Sequence, residues 1–168
     1  MKQKIYEKLM NNLDELTKCY RQLLDVVRSE KEILKESKIE KLNAVNASKD
    51  QLITQIKSLD ALRGNYAGDL AHQVGADTVQ PRLLDLAVRM GGAEGEKLRS
   101  MHSMLELLLK RLIEINKENA DSAQVALNNV NKTLDSFKDN LMGPKNYKRQ
   151  GQVNVGPDKS GNLVSREA

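Results

Sequence analysis

Apolar residues recur at alternating three- and four-residue spacings along most of this chain, and the places where that rhythm slips divide it into elements. Over residues 3–36, Tyr6, Leu9, Leu13, Leu16, Tyr20, Leu23, Val27 and Leu34 hold the a and d positions of one heptad register. This predicts a long first helix. The missing d position is Glu30, a carboxylate on an apolar seam, which needs a partner or an exit to water. The next stripe, Leu42, Val45, Lys49, Leu52, Ile56, Leu59 and Arg63, is displaced by one residue. Ser37-Lys38-Ile39-Glu40 lies in the skip and has the form of a capping box. The expectation is a tight turn at 35–38 and a second helix starting at Lys38, antiparallel to the first.

Beyond Gly64 the pattern weakens. The second helix can continue to about Gln73, but Gly64, Gly68 and Gly75 dilute it, and residues 64–95 are expected to be the least regular part of the body. Thr78 is a candidate cap for a short helix over 79–90, with Leu83, Leu86, Ala87 and Met90 on one face. The glycine-rich residues 91–95 read as a flexible linker. A third long helix follows over residues 98–141, free of Gly and Pro until Gly143-Pro144 stops it. Its stripe is Leu98, Met101, Leu105, Leu108, Leu112 and Ile115, then Ala123, Leu127, Val130, Leu134, Phe137 and Leu141, with small or amide residues between.

The first two helices reach about 50 Å at most and the third about 65–70 Å, at 1.5 Å per residue. The C-terminal end of the third is therefore expected to outrun the hairpin. The fold class is all-α: an elongated antiparallel helical bundle or coiled coil of three long helices plus a short helix. The expected division is a helical domain over 1–142 and a disordered basic tail over 143–168. Near the hairpin, Glu30 and Lys49 fall at similar heights. Either they pair across the seam or both snorkel outward, and either role is structural.

Composition narrows the function. Aromatic residues make up 3% of the 168 residues and charged residues 30%, which suits long thin helices. The net charge is +4, and the tail carries five basic residues against two acidic ones, leaving the body nearly neutral. A nucleic-acid-binding face needs concentrated positive charge, so nucleic acid is not an expected partner. No apolar run is long enough for a membrane span, and the N-terminus has no apolar signal region. The single Cys19 allows no internal disulfide and fits a cytoplasmic location.

No catalytic motif stands out, and no enzyme or cofactor is expected. The glycine cluster at 91–95 lacks the Lys-Ser/Thr sequel of a phosphate loop. His102 and Glu106 are four apart on one helix face, but no further His or Cys completes a metal site, so an ordinary helical pair is the reading. Cys19 reads as a small buried residue, and Met90, Met101 and Met104 as core filling.

The order and separation of several marked positions resemble the FlgN family of flagellar type III export chaperones. The resemblance rests on Glu30 followed by Leu34 at the end of the first helix, and on Lys49 and Arg63 on the second. It continues with Asn116-Lys-Glu-Asn119 in the long last helix and with Tyr147 and Gly151 in the tail. It covers about residues 10–151 and leaves residues 91–95 and the end of the tail unassigned. It implies an all-helical cytoplasmic chaperone of hook-associated (hook–filament junction) proteins of the FlgK and FlgL type. Such a chaperone prevents premature assembly and delivers its substrate to the export gate and the export ATPase complex. It also makes Tyr147 a candidate for docking on the cytoplasmic domain of the gate. The other reading of Tyr147 is an incidental residue in a loose tail. Glu30, Lys49, Arg63, Asn116 and Asn119 are then polar residues of the structural seam.

The residue pattern itself places a substrate site. An apolar stripe with no internal partner, Leu127, Val130, Leu134, Phe137 and Leu141, is expected to bind another amphipathic helix. The competing reading is a generic coiled-coil adaptor or homodimeric scaffold without an export role, in which a second copy or an extended second helix covers that stripe.

Overall fold

Heptad repeats of Leu, Val and Ile form helices because one face can be buried continuously, and here they do so in four segments. The computed structural model describes residues 1–142, with side chains as far as Asp135 apart from that of Ile39. Helix α1 spans Lys2–Lys35, α2 Leu42–Val74, α3 Leu83–Met90 and α4 Gly92–Met142, with a 3-10 turn at Ile39–Lys41 ahead of α2. No strand occurs among the described residues. This is the all-α arrangement of three long helices and a short one that the periodicity predicts. Met1–Val125 form one compact unit, and Ala126 begins a second, with α4 running through both. The expected tail at 143–168 lies outside the described residues.

Side-chain bonds fix the directions of the helices within the first unit. Asn12 Nδ2 donates to the Leu59 carbonyl at 3.1 Å, and Lys49 Nζ donates to Glu30 at 2.8 Å, so α1 and α2 are antiparallel. The Tyr6 hydroxyl donates to the Glu94 carbonyl at 3.3 Å, and Asn119 Nδ2 to the Val27 carbonyl at 2.9 Å, so α4 runs parallel to α1. The chain goes up, down and up again, and α3 turns it at the end where α2 finishes.

That end holds the larger core. Leu9, Leu13 and Leu16 of α1 meet Leu70 of α2, Leu86 of α3 and Leu98 of α4, all essentially fully buried. Burying such a side chain contributes about 1.5–3 kcal/mol. A second cluster, Leu24 and Val27 against Leu112 and Ile115, joins α1 to α4 further along. The stripe of α2 is shallower. Of its seven positions Ile56 alone is fully buried, while Leu42, Val45, Leu52 and Leu59 are half-buried.

Four local expectations are corrected. Ser37 does not cap α2; no side-chain bond caps that helix. Instead Ser37 has φ +55° and closes α1. The Lys38 amide donates to the Ile33 carbonyl at 3.1 Å and the Ser37 amide to that of Leu34 at 3.3 Å. This is the Schellman closure, with serine at the left-handed position that glycine usually takes. The free carbonyls at the end of α1 compete for the turn and win over the capping box, so α2 starts at Leu42 and not at Lys38.

Thr78 does not start α3. Asp77 Oδ1, one residue earlier, accepts from the amides of Val79 at 2.8 Å and Gln80 at 3.3 Å, and α3 begins after Pro81-Arg82. Residues 64–95 are more regular than expected, since α2 continues to Val74 and closes on Gly75 at φ +69°. Residues 91–95 are not a linker either. Gly91 at φ +62° and Gly92 at φ +53° together make the corner between α3 and α4, and Gly95 is buried inside α4. A Cβ at Gly95 would lie 2.3 Å from the Ala87 carbonyl oxygen, so glycine there permits α3 and α4 to touch along their backbones.

Candidate functional site

The structure joins three of the five polar seam residues. Lys49 Nζ donates to both carboxylate oxygens of Glu30, at 3.0 and 2.8 Å. Their side chains are 21% and 12% exposed, so solvent screens the pair little. Asn119, 3% exposed, donates from Nδ2 to Glu30 Oε2 at 3.0 Å as well as to the Val27 carbonyl. One carboxylate of α1 thus receives a cation from α2 and an amide from α4. Asn119 Oδ1 is buried without a hydrogen-bond partner. Just outside, Lys31 pairs with Glu118 and holds its carboxyl below the usual carboxylate range.

The other two seam residues stand apart. Arg63 Nε pairs with Asp60, one turn back on α2, at 2.7 Å. Asn116 is exposed. Both line hollows that the pattern of a and d positions did not reveal. The first, about 350 Å³, is bordered by Tyr20, Asp60, Arg63, His102, Glu106 and Leu109. The second, about 240 Å³, is bordered by Tyr20, Val27, Lys49, Ile53, Ile113 and Asn116. Leu109 (39% exposed) and Ile113 (67%) are the apolar residues of this region that sequence reasoning missed. The available signal was two further leucine-class residues of α4 lying off its buried stripe.

Glu106 and Cys19 have ordinary structural surroundings. Glu106 bonds Lys110 at 3.0 Å, which lowers its carboxyl pKa, and so serves as the partner of a lysine one turn on. Among the described residues no group of three or more His, Cys, Asp and Glu is placed to hold a metal ion. Cys19 is buried, and burial, with a smaller contribution from Glu15, pushes its thiol up. A raised thiol pKa leaves little thiolate at neutral pH. Met90 and Met101 pack against the main core, and the Met104 sulfur accepts from Arg21 at 3.1 Å.

The stripe on α4 is the largest departure from ordinary burial. Asn119 is the last buried residue among the described ones, and every described side chain from Ala120 to Asp135 is exposed. Leu127 is 54% exposed, Val130 50% and Leu134 59%; Phe137 and Leu141 continue the spacing on the helix backbone, but their side chains lie outside the described residues. From Ser122 to Asn131 there is no charged residue, between Asp121 and Lys132. An exposed helix normally carries charge, and Asn, Ser and Val are modest helix formers. This stretch therefore combines exposed apolar groups, uncharged flanks and low intrinsic helix preference. Such a surface can accept the apolar face of another helix at little desolvation cost. Tyr147 lies outside the described residues.

No helix among the described residues is long and apolar enough to cross a membrane. A protein-family model described as "FlgN protein" matches residues 1–154, which includes residues 91–95 that the sequence motifs left unassigned. No curated protein and no solved structure matches the chain.

Proposed function

The chain belongs to the FlgN family of flagellar export chaperones, and on that premise we propose that it binds hook-associated proteins in the cytoplasm and delivers them to the flagellar type III secretion apparatus. FlgN is a family of chaperones and not of enzymes, and a role in flagellar export follows from membership. The family resemblance implies that the substrate's terminal helical segment is what such a chaperone holds. A chaperone that occupies such a segment keeps its substrate monomeric until export.

The observation that carries this reading is the exposed stripe of Leu127, Val130 and Leu134 on α4, extended in sequence by Phe137 and Leu141. An amphipathic helix of the substrate would pack on it through three- and four-residue spacing. Tyr147, within residues 143–168, is then the candidate for docking on the cytoplasmic domain of the export gate, and the helical body over 1–142 is the chaperone domain.

Changing Leu134 and Phe137 together to Asp tests the site. Leu134 is exposed and Phe137 continues its spacing in the sequence, so far-UV circular dichroism should be unchanged while co-purification with a hook-associated protein is lost. Wild-type affinity in the double variant would overturn the assignment of the stripe.

A further inference from the structure

We propose that Glu30, Lys49 and Asn119 form a registry lock for the three long helices, one that selects a single alignment and adds little to stability. Each interrupts an apolar heptad series, that of Lys49 ending on a second basic residue, Arg63. Glu30 follows Leu9, Leu16 and Leu23 on α1. Lys49 stands between Leu42 and Ile56 on α2. Asn119 follows Leu98, Leu105 and Leu112 on α4. A helix that slides by seven residues therefore exchanges apolar seam residues for apolar ones nearly everywhere, and the hydrophobic pattern discriminates poorly between alignments.

The three polar residues do discriminate. In the observed alignment all three meet, with bonds of 2.8 to 3.0 Å. Sliding α4 by one heptad brings Leu112 or Ala126 opposite Glu30 and removes its amide donor. Sliding α2 brings Leu42 or Ile56 there and leaves Glu30 and Lys49 unpaired in positions that are mostly buried. An uncompensated charge in such a place is strongly disfavoured.

Two features argue that selection, not stabilisation, is the role. A buried ion pair offsets most of its attraction by lost hydration, so a well-packed apolar replacement is often as stable. The Asn119 carbonyl oxygen has no protein hydrogen-bond partner, so its buried amide recovers only part of the hydration it gives up. The Val27 carbonyl that Asn119 also grips is backbone, which ties α4 to α1 even apart from the carboxylate.

The test replaces the lock with apolar residues of similar size: Glu30→Met, Lys49→Met and Asn119→Leu together. Spin labels at Asn11→Cys and Lys117→Cys, both exposed, report the offset of α4 along α1 in a chain whose Cys19 is changed to Ala. With the lock intact, pulsed electron resonance should show one distance. With it removed, a second population should appear, displaced by up to about 10 Å, the rise of seven helical residues, and the melting temperature should be equal or higher. A single unchanged distance in the triple variant overturns the proposal. So does a triple variant that fails to fold or melts well below the parent, because the network would then be a stabiliser.

Discussion

At the scale of the residue, Ser37 shows how a helix end is decided by backbone and not by side-chain motif. Its hydroxyl suits an N-cap, yet its amide and that of Lys38 close α1 at φ +55°. A side chain with a Cβ is disfavoured there by about 1–2 kcal/mol. Glycine removes that strain at some cost in unfolded-state entropy. Ser37→Gly should therefore raise unfolding free energy by about 1 kcal/mol, seen as a higher urea midpoint with unchanged slope. A lower midpoint would mean that the hydroxyl matters to the turn. Cys19, Tyr6 and Tyr20 set a second expectation at this scale. Burial is the leading cause that raises all three above their ordinary values of 9.0 for the thiol and 10.0 for the phenols. For each, the unfolded chain releases its proton at lower pH than the folded chain, so the folded state holds more protons in between. The contribution of these three groups is then constant below about pH 8 and falls as pH rises through 9 and 10. Melting temperature against pH should show this decline, and it should be shallower in a Cys19→Ala, Tyr6→Phe, Tyr20→Phe chain. An equally steep decline in that chain would assign the loss to other groups.

At the scale of the element, the long helices are legible because seam residues repeat for ten turns or so, whereas their ends depend on single backbone geometries. The heptads of α1 and the stripe of α4 appear directly in the order of Leu, Val and Ile. The turn ahead of α3 depends on Asp77, and not Thr78, taking two amides, and the α3–α4 corner on two successive glycines. Residues 91–95 look like a linker because glycine marks both flexibility and close packing, and composition alone does not distinguish them. Substitution does. Gly95→Ala would put a Cβ 2.3 Å from the Ala87 oxygen, and α3 would have to shift. A loss of about 1–3 kcal/mol is expected, in the range of overpacked cores. Gly64, also inside a helix, has nothing within 4 Å of the added atom. Gly64→Ala should gain about 0.5–1 kcal/mol from helix preference. Chemical denaturation of the two variants side by side gives opposite signs if this account of the corner holds, and the same sign if it does not.

At the scale of the whole molecule, the candidate site was legible in part for a physical reason. Glu30 and Lys49 stand out because they interrupt apolar series, and interruptions are visible in one dimension. The role of Asn119 is not visible, since it requires knowing that α4 runs parallel to α1 and reaches the same height. Leu109 and Ile113 escaped notice because a groove belongs to several helices and not to a stripe on one. The stripe from Leu127 onward was legible as a pattern, and the exposure of Leu127, Val130 and Leu134 follows from the structure. On the proposed reading of the stripe, folding and capture belong to different parts of the chain. The compact unit ends at Val125, and no described side chain from Ala126 to Asp135 is buried. A chain shortened to residues 1–125 should therefore keep the cores of both clusters and the Glu30–Lys49–Asn119 network. Its melting temperature should fall by less than about 5 °C, equivalent to roughly 1 kcal/mol for a unit of this size. Its capture of a hook-associated protein should be lost, measured by co-purification against the full chain. A large drop in melting temperature would make residues beyond Val125 part of the folding unit. Retained capture would move the site into the first unit, where the apolar hollows bordered by Tyr20, Leu109 and Ile113 are the surface to test next.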